Sequence, residues 1–333
     1  MPKDSGESVP SFSPTSTRER DWMKSWLGFA ERSFLKRPEP KRVHSLEIHM
    51  VYRGGRTLVS RARSTGALRI LRPFDLGDRI LLQLITLGPG LLDGDLFRIE
   101  VHLGPGAKAL LVNQSAGKVH PGLARQEVVI QAAQESELEF YPGLSILFPR
   151  AALEQRTRVW LEPGARFGLL EAWAMGRIAR GEAWDFVFLD TRTEVDQGSI
   201  PLFRDALLLS PLNASRPGFM EGRPYLASGF WTWPAPDPGM ELGGTWALAW
   251  SSTAQGHLVL RGTASKGAGL LGALTDRLYG FRQSWGLVRV DLGRYSSAWA
   301  GSGATPISLE GQPQTPCGKT GCELPSPRAP SPC

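Results

Sequence analysis

The stretch "GPGLLDGD", Gly88 to Asp95, places two aspartates, Asp93 and Asp95, two residues apart in a glycine-rich segment between the alternating apolar runs "RILLQLIT" and "LFRIEV". Carboxylates so spaced in a flexible loop are the beginning of a hard-cation site. A calcium loop, however, needs several more oxygen ligands at fixed offsets, and these are missing. The same glycines suit a turn between two strands. Five histidines, at positions 44, 49, 102, 120 and 257, show neither HxxxH nor HExxH spacing. His102 is expected on a strand, on the side opposite Val101 and Leu103. His120, in the loop "GKVHPG", is the one best placed to serve as a nitrogen ligand. Glu139 and Glu171 offer the two carboxylates that glycoside hydrolysis uses, although no spacing forces them together. There is no GxSxG elbow, and the body of the chain has no cysteine to act as a nucleophile.

Other polar residues stand in segments otherwise apolar enough for a core. They are Gln114, Ser115 and Lys118 in "LLVNQSAGKVHPG", Glu139 in "LEFYPG", and Arg177 with Glu182 in "AMGRIARGEAW". Buried charges must be paired or reach water, so these residues are expected to share a cleft or an interface, or to support turns through salt bridges.

The elements that position them follow a period of two. From about residue 44, "SLEIHMVY", "RTLVSRA", "GALRIL", "DRILLQLIT", "LFRIEVHL", "AKALLVNQS", "ARQEVVIQAA" and "SELEFYPG" are strand candidates separated by Gly, Pro and Asp. "LGPGA" at 103–107 has a partner in "LEPGARF" at 161–167, and both are expected as hairpin connections between consecutive antiparallel strands. Residues 211–240 are expected as a long irregular connection, 269–285 as a helix and "GLVRVDLG" as a last strand. No βαβ rhythm is present, and "CGKTG" lacks the preceding strand of a phosphate-binding loop. The expected fold class is mainly β: a large elongated body of stacked, mostly antiparallel sheets with a few helices. The organisation is a leader over 1–42, with a short helix over 18–36, a β domain over 43–300, and a disordered Pro-rich tail over 301–333.

The net charge of +6 is mild for 333 residues, and half of it lies in residues 1–42, with nine Lys/Arg against six Asp/Glu. No dense basic stripe marks a nucleic-acid surface. Cys317, Cys322 and Cys333 all fall in the tail, so no disulfide framework or structural zinc site is expected. No run resembles a signal peptide and none reaches 18 apolar residues, which favours a soluble cytoplasmic protein with no membrane partner.

Taken in order, these segments resemble the UreD (UreH) family of urease accessory proteins. The family's glycine-rich turn ending in Gly-Asp is matched by "GPGLLDGD", with Gly94 and Asp95. Its Gln/Gly-Ala/Ser-Thr-Lys-Val-Tyr stretch is matched by "LLVNQSAGKVHPG", with Gln114 and Lys118; Gly117 replaces the usual threonine and His120 the usual tyrosine. Its "LEW/Y-x-P" is matched through Glu139 and Pro142, and its "GR-x-A-x-GE" through Gly176, Arg177, Gly181 and Glu182. The resemblance is strong over 46–210 and weaker over 240–300. It implies a non-enzymatic assembly factor that binds apo-urease together with UreF and the GTPase UreG, and helps load the nickel centre. It implies no stably bound cofactor, only nickel in transit. Asp93, Asp95, Glu139, Glu171 and Glu182 then become candidates for a nickel passage or its mouth, and His120 for a transient ligand. The alternative from a different class is a β-rich hydrolase of small polar or carbohydrate substrates.

Overall fold

The computed structural model describes residues 39–299 apart from 215 and 217. The expected leader up to residue 38, its helix, and the tail with its three cysteines lie outside the described residues. In chain order the strands are β1 (Arg42–Arg53), β2 (Arg56–Ser64), β3 (Leu68–Ile70), β4 (Phe74–Asp75), β5 (Ile80–Thr86), β6 (Asp95–Leu103), β7 (Lys108–Asn113), β8 (Gly117–Val119) and β9 (Gly122–Ala132). They continue with β10 (Glu137–Leu147), β11 (Ala151–Leu161), β12 (Arg166–Ala174), β13 (Phe188–Gln197), β14 (Ile200–Leu209), β15 (Tyr225–Pro234), β16 (Gly239–Leu242), β17 (Trp246–Ser252) and β18 (His257–Ala264).

Two sheets result. The seven-stranded sheet runs β14-β13-β11-β9-β6-β1-β2, and the eleven-stranded sheet runs β16-β17-β18-β15-β12-β10-β7-β5-β3, with β4 and β8 attached at its side. The stacked, mainly β body is as expected. Its sheets, however, are mixed rather than mostly antiparallel. From β5 to β13 the long strands alternate between the sheets, so neighbours within each sheet are parallel: β5, β7, β10 and β12 in one, β6, β9, β11 and β13 in the other. This is a flattened two-sheet solenoid. Its pitch is regular: Leu82 pairs with Leu111, Leu111 with Phe140 and Phe140 with Leu169, each 29 positions after the last.

The connections therefore differ from the expected hairpins. "LGPGA" carries the chain from β6 in one sheet to β7 in the other, and "LEPGA" carries it from β11 to β12, two coils further on. Between them lies a third arch of the same build. In each, the residue closing the arch donates its N–H three residues back: Ala107 to Gly104, Ser136 to Ala133 and Ala165 to Glu162. Glycine-rich turn chemistry serves a hairpin and an arch equally, and a half-buried strand alternates with period two whichever way its neighbour runs.

The core lies in two layers. Between the sheets pack Ile48, Leu82, Phe97, Val128, Phe140, Leu153 and Leu169 among others. On the outer face of the eleven-stranded sheet pack Tyr141, Leu170, Trp231 and Leu260, covered by the helix Gly267–Ser284. That helix buries Leu270, Leu274, Leu278 and Phe281, one stripe at helical spacing, with Arg282 in the same stripe. The segment 211–240 holds β15, which pairs with both β12 and β18, where an irregular connection was expected. Its alternation is hidden because both faces are buried, Leu226 and Phe230 towards one core and Ala227 and Trp231 towards the other. "GLVRVDLG" forms no strand; Val288 instead gives its carbonyl to Arg282 Nη2 at 2.7 Å. Among the described residues no helix is long and apolar enough to cross a membrane.

Candidate functional site

A solenoid has two rims, and three of the four segments singled out by the resemblance fall on one of them, while the fourth, with Glu139 and Pro142, lies within β10, whose exit loop is on the same rim. "GPGLLDGD" joins β5 to β6, "NQSAGKVHPG" joins β7 to β9, "LFPRA" joins β10 to β11, and "MGRIARGEAW" leads from β12 towards β13. Each is a passage from the eleven-stranded to the seven-stranded sheet, so the coil stacks them side by side. Backbone hydrogen bonds stitch the row together. Leu91 N donates to Lys118 O and His120 N to Leu91 O (both 2.9 Å), Phe148 N to Val119 O (2.9 Å), and Arg150 N to Asp185 O (2.6 Å). At Gly90, with φ of +122°, a Cβ would stand 2.3 Å from the carbonyl oxygen of Lys118, so the close approach of the first two loops requires glycine there.

Side chains complete the rim. Asp95 is buried and accepts from Leu92 N (2.7 Å) and Arg42 Nε (2.6 Å), which makes it the brace of its own turn. Asp93 is half-exposed and accepts from Lys41 Nζ (2.5 Å) and Leu123 N (3.1 Å); Lys41, then the Leu123 amide, hold its carboxyl below the usual range. His120 Nε2 donates to Pro89 O (2.9 Å) and its ring packs on Phe148 with centroids 4.8 Å apart. Arg177 lies over the same Phe148 ring, 4.5 Å from its centroid, and is locked to Glu182 by two 2.5 Å hydrogen bonds. Gly176 has a φ of +129°, and a Cβ there would come within 1.9 Å of Glu182 O. Gly176→Ala is therefore expected to lower stability by more than about 1 kcal/mol, read as an earlier midpoint in urea unfolding. Gln114 and Lys118 are exposed, and the Gln114 carbonyl accepts from Ser297 N (2.9 Å).

A cavity of about 60 Å³, room for a few waters, opens at this rim between the first two loops. Gly88, Pro89, Gly90, Ser115 and Lys118 form its outer wall, and Phe97, Gln126 and Phe140 its inner end. From Gln126 a polar string continues through the otherwise apolar layer between the sheets. Gln155 is the register partner of Gln126 on the next strand. Its Nε2 donates across the core to Glu171 Oε2 of the other sheet at 2.5 Å. Glu171 is 4% exposed. Burial raises its carboxyl to about pH 7; the Gln155 hydrogen bond opposes the rise, Asp205 adds to it and Arg261 opposes it. Arg261 in turn donates to Ser228 (2.5 Å) and to Asp205 (2.6 Å), and this pair is partly open to solvent. Gln126, Gln155 and Glu171 thus follow one another inward from the cavity, and Glu171 feels the charges of the partly solvated Asp205–Arg261 pair.

Glu139 belongs elsewhere. It shares a face with Tyr141, beneath the long helix, whereas Glu171 points between the sheets. The two carboxylates that a glycosidase would need as a pair lie on opposite faces of one sheet. Glu139 has no exposed surface, and both its oxygens are engaged: Oε1 by Arg79 Nη1 (2.8 Å), Oε2 by Tyr141 Oη (2.7 Å) and by Arg282 Nη1. Trp231 Nε1 donates to Tyr141 Oη (2.9 Å), and Arg79 also reaches Glu137 (2.9 Å) and Asp78 (2.7 Å). Burial opposes the charge on Arg79, but Glu139, Asp78 and Glu137 outweigh it and its pKa rises. For Tyr141, burial and the neighbouring Glu139 push the hydroxyl well above its usual range.

Sequence reasoning found Glu139, Glu171, Arg177 and Glu182 but missed Arg79, Arg282, Gln155, Asp205 and Arg261. One signal was available. Arg282 interrupts an apolar helical stripe, which a buried partner would explain.

The profile described as "UreD urease accessory protein" matches residues 43–287. A Synechococcus sp. protein named urease accessory protein UreD 1 is 44% identical over 264 residues, 77% of this chain and 97% of its own length. Urease accessory protein UreD of Deinococcus radiodurans is 33% identical over 245 residues, 69% and 86% of the two chains. That of an Arthrobacter sp. is 34% identical over 194 residues, 55% and 66%. With three motif loops stacked on one rim and a match running through nearly the whole described body, the chain belongs to the UreD family, whose members are accessory proteins of urease maturation rather than catalysts.

Proposed function

We propose that this protein serves, in the cytoplasm, as a scaffold between apo-urease and a complex of UreF with the GTPase UreG, and that it conducts nickel between them through the space between its two sheets. No stably held cofactor, nucleic acid or membrane enters this reading. The observation that supports it is the polar row Gln126, Gln155 and Glu171, which runs from a cavity on the motif rim into the apolar layer, within the field of the Asp205–Arg261 pair. A route for an ion needs oxygen donors that are too few at any one point to trap it. Glu171 is the central donor: with its carboxyl near pH 7, it releases a proton when a cation arrives and takes one back when the cation leaves. Lys118 lines the mouth, Asp93 and His120 stand on the same rim beside it, and Asp95, Glu139 and Glu182, each engaged by an arginine, hold the frame.

The test is coexpression of the full chain with the urease subunits, UreF and UreG, followed by co-purification and nickel analysis of the urease. Glu171→Ala and Gln155→Leu are expected to leave the complex intact and to lower nickel per urease active site severalfold. Full nickel content in a normally assembled complex would remove the passage. Failure of the wild-type chain to join the complex would remove the scaffold role.

A further inference from the structure

A second group of metal-ligating side chains lies away from the motif rim and the interior string, on the outer face of the seven-stranded sheet. Parallel register sets His49 of β1 beside His102 of β6, and His102 beside Gln131 of β9. One step along the same face, Glu47 stands beside Glu100. The two imidazoles are stacked, with centroids 4.3 Å apart and planes 13° from parallel. His49 Nε2 donates to Glu47 Oε1 at 2.6 Å. His102 Nδ1 donates to Gln131 Oε1 at 3.2 Å. One ligand atom from each of Glu47, His49 and His102 lies within 4.8 Å of the others. Glu47 and His49 are each about one-third exposed, so an ion has access from solvent.

Three features argue for more than a polar patch. Two imidazoles and a carboxylate on adjacent strands match the donor preference of late divalent transition metals, not of magnesium or calcium. The hydrogen bond from His102 Nδ1 to Gln131 is the outer contact that ligating histidines usually make; it fixes the tautomer and leaves Nε2 with its lone pair. The strands also hold the three residues at neighbouring positions of one rigid face, so little ordering is needed on binding. Arg61 Nη2, 3.6 Å from Glu47 Oε2, sets a limit, because a nearby positive charge weakens cation binding.

We propose that Glu47, His49 and His102 form a surface site for a late divalent transition-metal ion, supported by Gln131 and weakened by Arg61 so that the ion exchanges readily. The site stands apart from the string through Glu171 and does not depend on it.

The probe is nickel(II) alone, titrated calorimetrically into the full chain at neutral pH. The cysteines at 317, 322 and 333 are kept in every variant, so that only the difference between variants reports this site. The double variant H49N/H102N is expected to bind one equivalent fewer than the wild type, and Glu47→Gln to weaken that same equivalent at least tenfold. Gln131→Leu, which removes only the outer contact, is expected to weaken it by about ten- to a hundredfold. Nickel-edge X-ray absorption should lose imidazole scattering in the double variant. Equal stoichiometry and affinity in the wild type, H49N/H102N and Glu47→Gln would overturn the proposal. So would a wild-type chain that binds no nickel outside its cysteines.

Discussion

Glu139→Ala is expected to destabilise the protein by about 3–5 kcal/mol, enough to consume a large part of the stability of an ordinary domain. The cost does not come from the lost contact alone. Arg79 and Arg282 are both buried, and each spends a guanidinium nitrogen on Glu139. Without the carboxylate Arg79 keeps Glu137 and Asp78, whereas Arg282 keeps the Val288 carbonyl. A buried charge with a single neutral partner is the costly species. Tyr141 also loses its acceptor while still receiving the Trp231 N–H. Urea unfolding at pH 7 reads the effect, and a loss of less than about 1 kcal/mol would show that the cluster is not what joins helix to sheet. A companion variant separates charge from packing: Arg79→Met, Glu139→Met and Arg282→Met together remove every charge of the triad. Recovery of much of the lost stability is expected, since well-packed apolar replacements of whole buried ion clusters are often neutral or better.

The second large effect is one of pH. The Glu171 carboxyl titrates near pH 7 in the folded chain, against 4.5 as its ordinary value. Between these limits the native protein holds a proton that the unfolded chain has lost. The resulting stabilisation is fully present below about pH 4.5, declines as pH rises through about 7, and is constant above. At about 1.4 kcal/mol per pH unit the decline amounts to about 3 kcal/mol. Glu171→Gln keeps an acceptor for Gln155 and carries no charge at any pH, so it escapes the decline. The difference in unfolding free energy between variant and wild type is expected to move by about 3 kcal/mol in favour of the variant between pH 5 and pH 8. Parallel stability curves for the two proteins would contradict a buried, neutral-range carboxyl at this position.

Much of the strand content was legible because half-buried strands alternate, and "LFRIEVHL" or "ARQEVVIQAA" can alternate only in that way. The direction of the neighbour was not legible, because side-chain period is the same in parallel and antiparallel ladders. The distance between the similar segments "LGPGA" and "LEPGA" did hold the answer, since it equals two turns of the coil. β15 was hidden for a related reason: a strand buried on both faces loses its alternation, and its glycine, its two tryptophans and its closing proline resemble loop composition. The isolated polar residues were visible as anomalies in apolar surroundings. What each one faces was not, since Glu139 meets Arg282 across 143 positions of chain and Glu171 meets Gln155 across two sheets. Those encounters are set by tertiary packing alone.

The coil also carries a hazard that its two ends neutralise. A stack of parallel strands is in principle endless, and an open coil offers the next molecule a template for end-to-end fibre growth. Each of the four strands that close the sheets is unfit for that purpose. β2 carries arginines at 56, 61 and 63, β14 has a proline at 201, β3 is three residues long and β16 four. All four also run antiparallel to the strand they cover, so a second copy would meet the wrong direction for continuing the coil. Among the described residues, a body built on a polymerisable repeat thereby offers a second copy no matching parallel edge.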